Sequence, residues 1–266
     1  MLITIKGLVV QDMTWRDNDK ILHVLTAESG KVAIIAKGAK SIKNRYMTAC
    51  QLFAYSQFTV YASESSSLHR LRDAELIRSF YEVSSNIEVY SLASYIADVA
   101  SQVCTEGDAE SGALSLTLNT LYALGKNSYP LYHIKAVYEL RLMASIGFMP
   151  DLLVCAECGM STGESLYLDT IEGSLLCTSC YDSKEQVREY GAMVEITSSI
   201  LAALRHIIYA QTNKIFAFTL AEDQRDAFTR ACERFMLDQI GHSFKTLTFY
   251  QEITENSKKS EVGDNN

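Results

Sequence analysis

Four cysteines arranged as two Cys-x-x-Cys pairs constrain the fold of this chain more than any other feature. The pairs are Cys155 with Cys158 and Cys177 with Cys180, and eighteen residues separate them. Each pair can place two thiolates on one tight turn, and the intervening segment is long enough for a hairpin that brings the two turns together. Four sulfurs can then surround Zn²⁺ as a tetrahedron with no position open to water. The pattern predicts a structural zinc module at about residues 151–182.

Two other readings of the quartet are a vestigial site and a reversible disulfide. A thioredoxin-like redox role is disfavoured, because one pair would suffice and no strand–helix–strand pattern surrounds the cysteines. The three remaining cysteines stand singly in apolar segments, where they are expected to fill the core. No signal peptide or apolar run long enough to cross a bilayer is found, so we expect a cytoplasmic protein with reduced thiols and no membrane contact.

Charge is distributed unevenly along the 266 residues, whose net charge is −8. Residues 1–80 carry eleven Lys/Arg and seven Asp/Glu, a balance of +4. Residues 81–266 carry thirteen Lys/Arg and twenty-five Asp/Glu, a balance of −12. A basic N-terminal part on an acidic body indicates an anionic partner for the first part, although ordinary surface variation would look the same.

Hydrophobic patterning divides the chain into three parts and predicts an α+β protein. Residues 1–80 contain five short β-rich segments separated by turns, as expected for a five-stranded OB-fold barrel. Residues 81–256 show apolar residues at helical spacing, interrupted by the cysteine module, and predict an α-helical domain with the zinc module inserted in it. Residues 257–266 are polar and are expected to form a disordered tail.

A cluster of cations follows one of the predicted strands. It contains Lys37, Lys40, Lys43 and Arg45, with Gly38 among them and no acidic residue between. We expect a mobile loop beside the barrel groove that can contact a phosphate backbone, against the alternative of a solvated loop. The nearby aromatic residues can stack on bases but are more often core residues in such strands: Tyr46, Phe53, Tyr55 and Phe58.

No set of residues typical of an enzyme emerges from the sequence. Gly159-Met-Ser161-Thr-Gly163 matches a hydrolase nucleophile pattern, but it falls inside the predicted zinc hairpin, where a strand–elbow–helix cannot form. None of the five histidines begins the His-x-Glu pattern of zinc deaminases. The Walker A and Gly-x-Gly-x-x-Gly patterns are also missing from the sequence, so we expect no catalytic residues.

Several phrases, in their order along the chain, resemble the RecO family of recombination mediators. Gly147 and Pro150 precede the first cysteine pair at the spacing typical of that family, and the resemblance extends over nearly the whole chain. The other phrases that carry it are Thr26–Gly30, Ala36–Lys40, Gln51–Phe53 (with Leu52 where the family has proline), Leu71–Glu75, Leu142–Pro150 and Ile240–Leu247.

The resemblance implies a DNA-repair protein without enzymatic turnover. Such proteins bind single- and double-stranded DNA through the barrel and anneal complementary strands. They associate with RecR, engage the acidic C-terminal tail of single-stranded-DNA-binding protein and help to load RecA. Lys37, Lys40, Lys43 and Arg45 match the basic segment of the family, and the four cysteines match its metal ligands. Lys135 and Arg141 are candidate contacts for the acidic tail. The alternative is a protein-interaction adaptor with a structural zinc, whose DNA contact is incidental.

Overall fold

The computed structural model describes residues 1–62, 68–107, 112–161, 163, 165–184 and 192–263. Its nine strands fall into two sheets. The first five are β1 (Leu2–Trp15), β2 (Asp19–Thr26), β3 (Lys31–Ala36), β4 (Ala54–Tyr61) and β5 (Leu68–Ser79), and the last four are β6 (Asp151–Cys155), β7 (Ser165–Asp169), β8 (Ser174–Cys177) and β9 (Met193–Thr197).

Seven α-helices accompany these strands in the described part of the chain. They are α1 (Ile87–Val103), α2 (Ala113–Lys126), α3 (Leu131–Ser145), α4 (Thr178–Lys184), α5 (Ser198–Tyr209), α6 (Arg225–Ile240) and α7 (Lys245–Gly263). Within those described ranges, no helix combines the length and apolar character that crossing a membrane requires.

The first five strands close into a barrel in the order β1-β2-β3-β5-β4. β4 pairs back to β1, and every neighbouring pair is antiparallel except β3 with β5. This connectivity is that of an OB-fold, which confirms the barrel predicted from the sequence. The barrel core is formed by inward-facing residues that include Val9, Leu22, Val24, Ile34, Phe58, Val60 and Leu71.

Gly7 lies at the point where β1 pairs with strands on both sides. It is opposite Thr26 of β2 and Ser56 of β4, and it is buried. A Cβ at this position would clash with Cγ1 of Val24 and lie 2.7 Å from the carbonyl oxygen of Leu25. The close approach of the two backbones therefore requires glycine here.

The chain forms two compact units. The first comprises Met1–Ser128 together with the segment that begins at Phe244, so that α1, α2 and α7 join the barrel. Lys31 of β3 donates its backbone N–H to Thr105 at 3.1 Å and its ammonium group to the carbonyl of Ser101. Tyr95 of α1 meets Phe244 edge to face at 5.8 Å. The sequence places a domain boundary after residue 80, whereas helices from both ends of the expected helical domain pack within the barrel unit.

The second unit, Tyr129–Ser243, consists of three longer helices and a four-stranded sheet of order β6-β8-β7-β9. α3 packs against α5 and α6 and is buried almost all round between His133 and Met143. The expected module at residues 151–182 supplies three of the four strands. β9 completes the sheet by pairing with β7. The sheet therefore extends beyond the predicted module.

The end of the chain also differs from the sequence expectation. Residues 257–266 are expected to be disordered, whereas α7 continues to Gly263, and residues 264–266 lie outside the described residues. α7 is anchored near its start by buried Leu247 and Tyr250. Extending an existing helix costs far less than nucleating one, so polar residues can follow an anchored first half.

Substitution of Gly7 by alanine is expected to destabilise the barrel by about 2–3 kcal/mol, because the added methyl group forces β1 away from β2. A denaturant titration of the purified variant measures this loss. Lys6→Ala, which changes the exposed neighbouring residue, serves as the control and should shift stability by less than about 0.5 kcal/mol. Equal stability of both variants would show that β1 and β2 do not approach closely at Gly7.

Candidate nucleic-acid interface and metal site

The segment that carries the predicted DNA-binding cations is attached to the turn between β1 and β2. The chain leaves β3 at Ala36 and enters the segment through Gly38, whose φ is +70°. The backbone N–H of Gly38 donates to Oδ1 of Asp19 at 2.8 Å, and that of Lys40 donates to the carbonyl of Asn18 at 3.1 Å. These two bonds hold residues 37–45, which we call the lysine loop, against the β1–β2 turn.

Internal hydrogen bonds also order the lysine loop. The side-chain amide of Asn44 donates to the carbonyl of Gly38 at 2.9 Å, and its oxygen accepts from the backbone N–H of Tyr46 at 3.0 Å. Ala39 is fully buried and joins the barrel core. The mobile loop expected from the sequence is therefore a folded segment, which can present its charges with little loss of conformational entropy.

All four predicted cations of the lysine loop are exposed. Arg45 forms an ion pair with Asp73 at 3.0 Å, in which both side chains are largely exposed. Such a surface pair contributes about 0–1 kcal/mol, so a phosphate can compete for the guanidinium. Lys37, Lys40 and Lys43 have no ion-pair partner among the residues that the structure describes. The loop therefore presents three uncompensated positive charges to solvent.

The aromatic residues proposed as stacking platforms are mostly core residues. Phe53 and Phe58 are buried, which agrees with the core alternative. Tyr46 is half-buried against the barrel core, and Tyr55 lines a cavity of about 320 Å³ with residues of β2 and α2. The exposed aromatic residue near the loop is instead Trp15, the last residue of β1, which sequence reasoning missed. Its position beside the loop depends on strand register, which no local pattern shows.

The two candidate contacts for an acidic tail are already engaged within the second unit. Lys135 is buried and forms ion pairs with Glu139 at 2.7 Å and Glu233 at 2.6 Å. The guanidinium of Arg141 donates to the carbonyls of Ile207, at 2.9 Å, and Ile208. Breaking a buried ion pair costs about 3–5 kcal/mol, so Lys135 cannot turn to an external carboxylate without a large penalty.

The four predicted metal ligands converge at one end of the small sheet, where the parallel strands β6 and β8 terminate. Cys155 ends β6, and Cys158 follows in a turn closed by the N–H of Gly159, which donates to the carbonyl of Cys155 at 2.9 Å. Gly159 has a φ of +74°, a conformation that glycine adopts without strain. Cys177 ends β8, and Cys180 lies in the first turn of α4.

The sulfur positions fit tetrahedral coordination. The four Sγ atoms lie within 4.8 Å of one another, and those of Cys158 and Cys177 are 3.7 Å apart. Zinc–sulfur bonds of about 2.3 Å in a tetrahedron require sulfur–sulfur distances of about 3.8 Å. All seven cysteines are free, so no disulfide competes for the four. The cluster can therefore hold one metal ion with a closed shell of sulfur ligands.

The backbone around Cys155 favours the thiolate form that a metal requires. Burial opposes ionisation, but N–H groups of Cys158, Cys177 and Glu157 are directed at the sulfur and lower the pKa of Cys155 to about 6. The N–H of Cys177 lies 3.3 Å from this sulfur. Ser161 of the apparent nucleophile pattern is exposed in the connection between β6 and β7, and the next described element is a strand rather than the helix of a nucleophile elbow.

Together, the barrel connectivity, the cationic loop and the cysteine cluster define an OB-fold protein whose second unit carries four cysteines able to hold a metal ion. The family model for the recombination protein O N terminal matches residues 1–80, and that for the recombination protein O C terminal matches residues 84–248. The chain therefore belongs to the RecO family, as the sequence phrases predict.

Curated relatives from several bacteria share this similarity over most of their length. DNA repair protein RecO of Acetivibrio thermocellus is 26% identical over 247 residues, which cover 93% of this chain and 95% of the relative. The protein of the same name from Alkaliphilus metalliredigens is 30% identical over 68% of this chain and 73% of its own. DNA repair protein RecO of Listeria monocytogenes is 24% identical over 97% of this chain and 98% of its own length. Family membership supports a role in DNA repair and recombination.

Proposed function

We propose that this protein is a non-enzymatic recombination mediator that binds single- and double-stranded DNA and anneals complementary strands. The observation that carries the proposal is the lysine loop, where three uncompensated lysines are held on a folded segment at one end of an OB barrel. Contacts to the phosphate backbone supply sequence-independent affinity, which an annealing protein needs because it must accept any pair of complementary strands. We found no set of catalytic residues in the sequence, in keeping with a mediator that has no turnover.

The partners of the proposed function follow from the family. We infer association with RecR, contact with the acidic C-terminal tail of single-stranded-DNA-binding protein, and assistance in loading RecA, all at the nucleoid in the cytoplasm. Lys135 and Arg141 are unsuited to the acidic tail because their charges are already satisfied. A site for the tail must therefore use other cations.

Replacement of Lys37, Lys40, Lys43 and Arg45 by alanine should weaken binding to all DNA sequences alike. Each phosphate contact contributes about −0.7 to the slope of log affinity against log salt for single strands, so losing four should reduce the slope by about 3. Fluorescence anisotropy of a labelled oligonucleotide at several salt concentrations measures both quantities.

A charge-matched control separates local contact from net charge. Alanine at Lys214, Arg230, Lys245 and Lys259, all exposed and outside the barrel strands, removes the same charge and should leave the slope nearly unchanged. Asp73→Ala should strengthen binding slightly, because it releases Arg45 from its ion pair. If the lysine-loop variant binds with unchanged affinity and slope, the loop is not the DNA contact.

The metal that best fits the four-thiolate cluster is Zn²⁺, and we propose a structural role for it. Four thiolates in a closed tetrahedron leave no position for a substrate or water. Bound Zn²⁺ would tie the end of β6 to the end of β8 and the start of α4. The cluster is far in sequence from the lysine loop, so the metal supports the second unit rather than the DNA contact.

Cys155→Ser should therefore release zinc and lower the melting temperature of the protein while leaving the intrinsic DNA contacts of the folded barrel intact. Metal analysis and thermal unfolding of the same sample measure the two effects. Cys50→Ala, at a buried cysteine of the barrel, should keep about one zinc per chain. Loss of zinc with full stability would contradict a structural role.

The alternative function is that of a protein-interaction adaptor, and one surface favours it. Apolar side chains at or beside β6 are exposed, and such clusters often mark protein contacts: Phe148, Met149, Leu153, Val154 and Met160. If this alternative holds, the purified chain should capture RecR without binding DNA at low salt. The double variant Leu153→Ser, Val154→Ser should then abolish capture. DNA binding by the chain alone, with capture unaffected by the double variant, would exclude the adaptor.

A further inference from the structure

Trp15 is a large aromatic residue left at the surface where the barrel meets the lysine loop. It is the sole tryptophan of the chain, and 46% of its surface is exposed. Its indole makes no hydrogen bond, ring contact or cation contact within the part of the chain that the structure describes. The exposed part of the indole is therefore available to a ligand.

The register of the β1–β2 hairpin determines which way the indole faces. Trp15 and Asp19 are the last opposed pair before the turn. Directly opposed residues of an antiparallel pair project their side chains from the same face, with Cα atoms about 4.5–5.5 Å apart. Asp19 uses its carboxylate to hold the backbone N–H of Gly38. The indole therefore projects from the same face of the hairpin as the carboxylate that holds Gly38.

Exposed cations lie on the turn and on the loop that Asp19 holds, together with the acidic residues Asp17 and Asp19. Lys37 and Lys40 lie one residue before and two residues after the Gly38 anchor, and both are exposed. Arg16 directly follows Trp15 and is exposed at the turn, where its φ is +57°. A flat apolar ring with exposed cations on neighbouring segments complements a nucleotide, whose base stacks on the ring while its phosphates contact the cations.

We propose that Trp15 stacks on an unpaired base of the DNA strand whose phosphates contact the lysine loop, which makes this end of the barrel selective for single strands. The inference rests on the proposed function, because it requires DNA at the loop. Bases within a duplex are already stacked on their neighbours and cannot cover the indole, whereas their phosphates remain accessible to the lysines. Trp15 therefore determines strand selectivity, and the lysine loop supplies affinity shared by both DNA forms.

The single tryptophan provides its own probe for this proposal. Titration of the intact chain with an oligothymidine should quench the indole fluorescence, and a duplex of the same length should quench it much less. Trp15→Leu should lower affinity for the oligothymidine about tenfold, the loss expected when one stacked base is released, with duplex affinity unchanged. Trp15→Phe, which keeps an aromatic face, should retain most of the affinity for single strands. Anisotropy of labelled DNA measures affinity in the variants that lack tryptophan.

Tyr81→Leu is the matched control, because Tyr81 is an exposed aromatic residue outside the barrel strands and should have no effect on either DNA form. Thermal unfolding verifies that the Trp15 variants remain folded.

The outcomes separate the inference from the proposed function. If the oligothymidine binds and the alanine variant of the lysine loop weakens it, but the indole is not quenched, the stacking role is wrong and the DNA-binding function stands. Equal loss of single-strand and duplex affinity in Trp15→Leu also overturns the selectivity. Absence of any DNA binding by the folded chain overturns both. Quenching by RecR but not by DNA would assign the indole to a protein partner instead.

Discussion

Closure of the barrel by β1 is the constraint on which the first unit depends. This strand pairs with β2 on one side and β4 on the other, so both edges of the sheet are satisfied through a single long segment. Gly7 permits the close approach of the backbones where the two pairings overlap. Because β1 continues beyond this point to Trp15, the hairpin with β2 extends far enough to receive the lysine loop. The same strand that closes the barrel thus positions its proposed DNA contact.

The lysine loop shows how a few hydrogen bonds to the backbone organise a charged surface. Like charges in an unrestrained segment repel one another and disperse. Here Asp19, Asn18 and Asn44 bond to the backbone of the loop, and Ala39 is embedded in the core, so the cations are held at one end of the barrel. The loop backbone is ordered before any ligand arrives, which reduces the entropy lost when phosphates bind.

The four-cysteine cluster of the second unit is organised by strand ends rather than by a loop. Its ligands come from the ends of β6 and β8 and from the short helix α4. Backbone N–H groups directed at Cys155 outweigh its burial and lower the pKa of its thiol, whereas hydrogen bonding with Cys177 raises the pKa of Cys180 to about 12. The local fold therefore favours the thiolate at Cys155 and opposes it at Cys180. The proposed metal would join these strand ends and the helix through four sulfur ligands.

The sequence by itself determined the features that rest on local pattern. Alternating apolar residues indicated the five strands, and two Cys-x-x-Cys pairs identified the four residues whose sulfurs now lie within 4.8 Å. The cluster of cations in the lysine loop was equally evident. Each of these features depends only on the distances between residues along the chain, and the sequence shows those distances directly.

Only the tertiary structure decided the features that depend on which distant residues meet. The burial of Lys135 between Glu139 and Glu233 required helices α3 and α6 to pack, and it removed a cation that looked available in the sequence. Strand register placed Trp15 opposite Asp19, so its indole projects from the same face as the carboxylate that holds Gly38. Packing of the start of α7 allowed this helix to continue through the polar residues near the end of the chain. In each case the deciding energy comes from long-range contacts, which composition and periodicity do not encode.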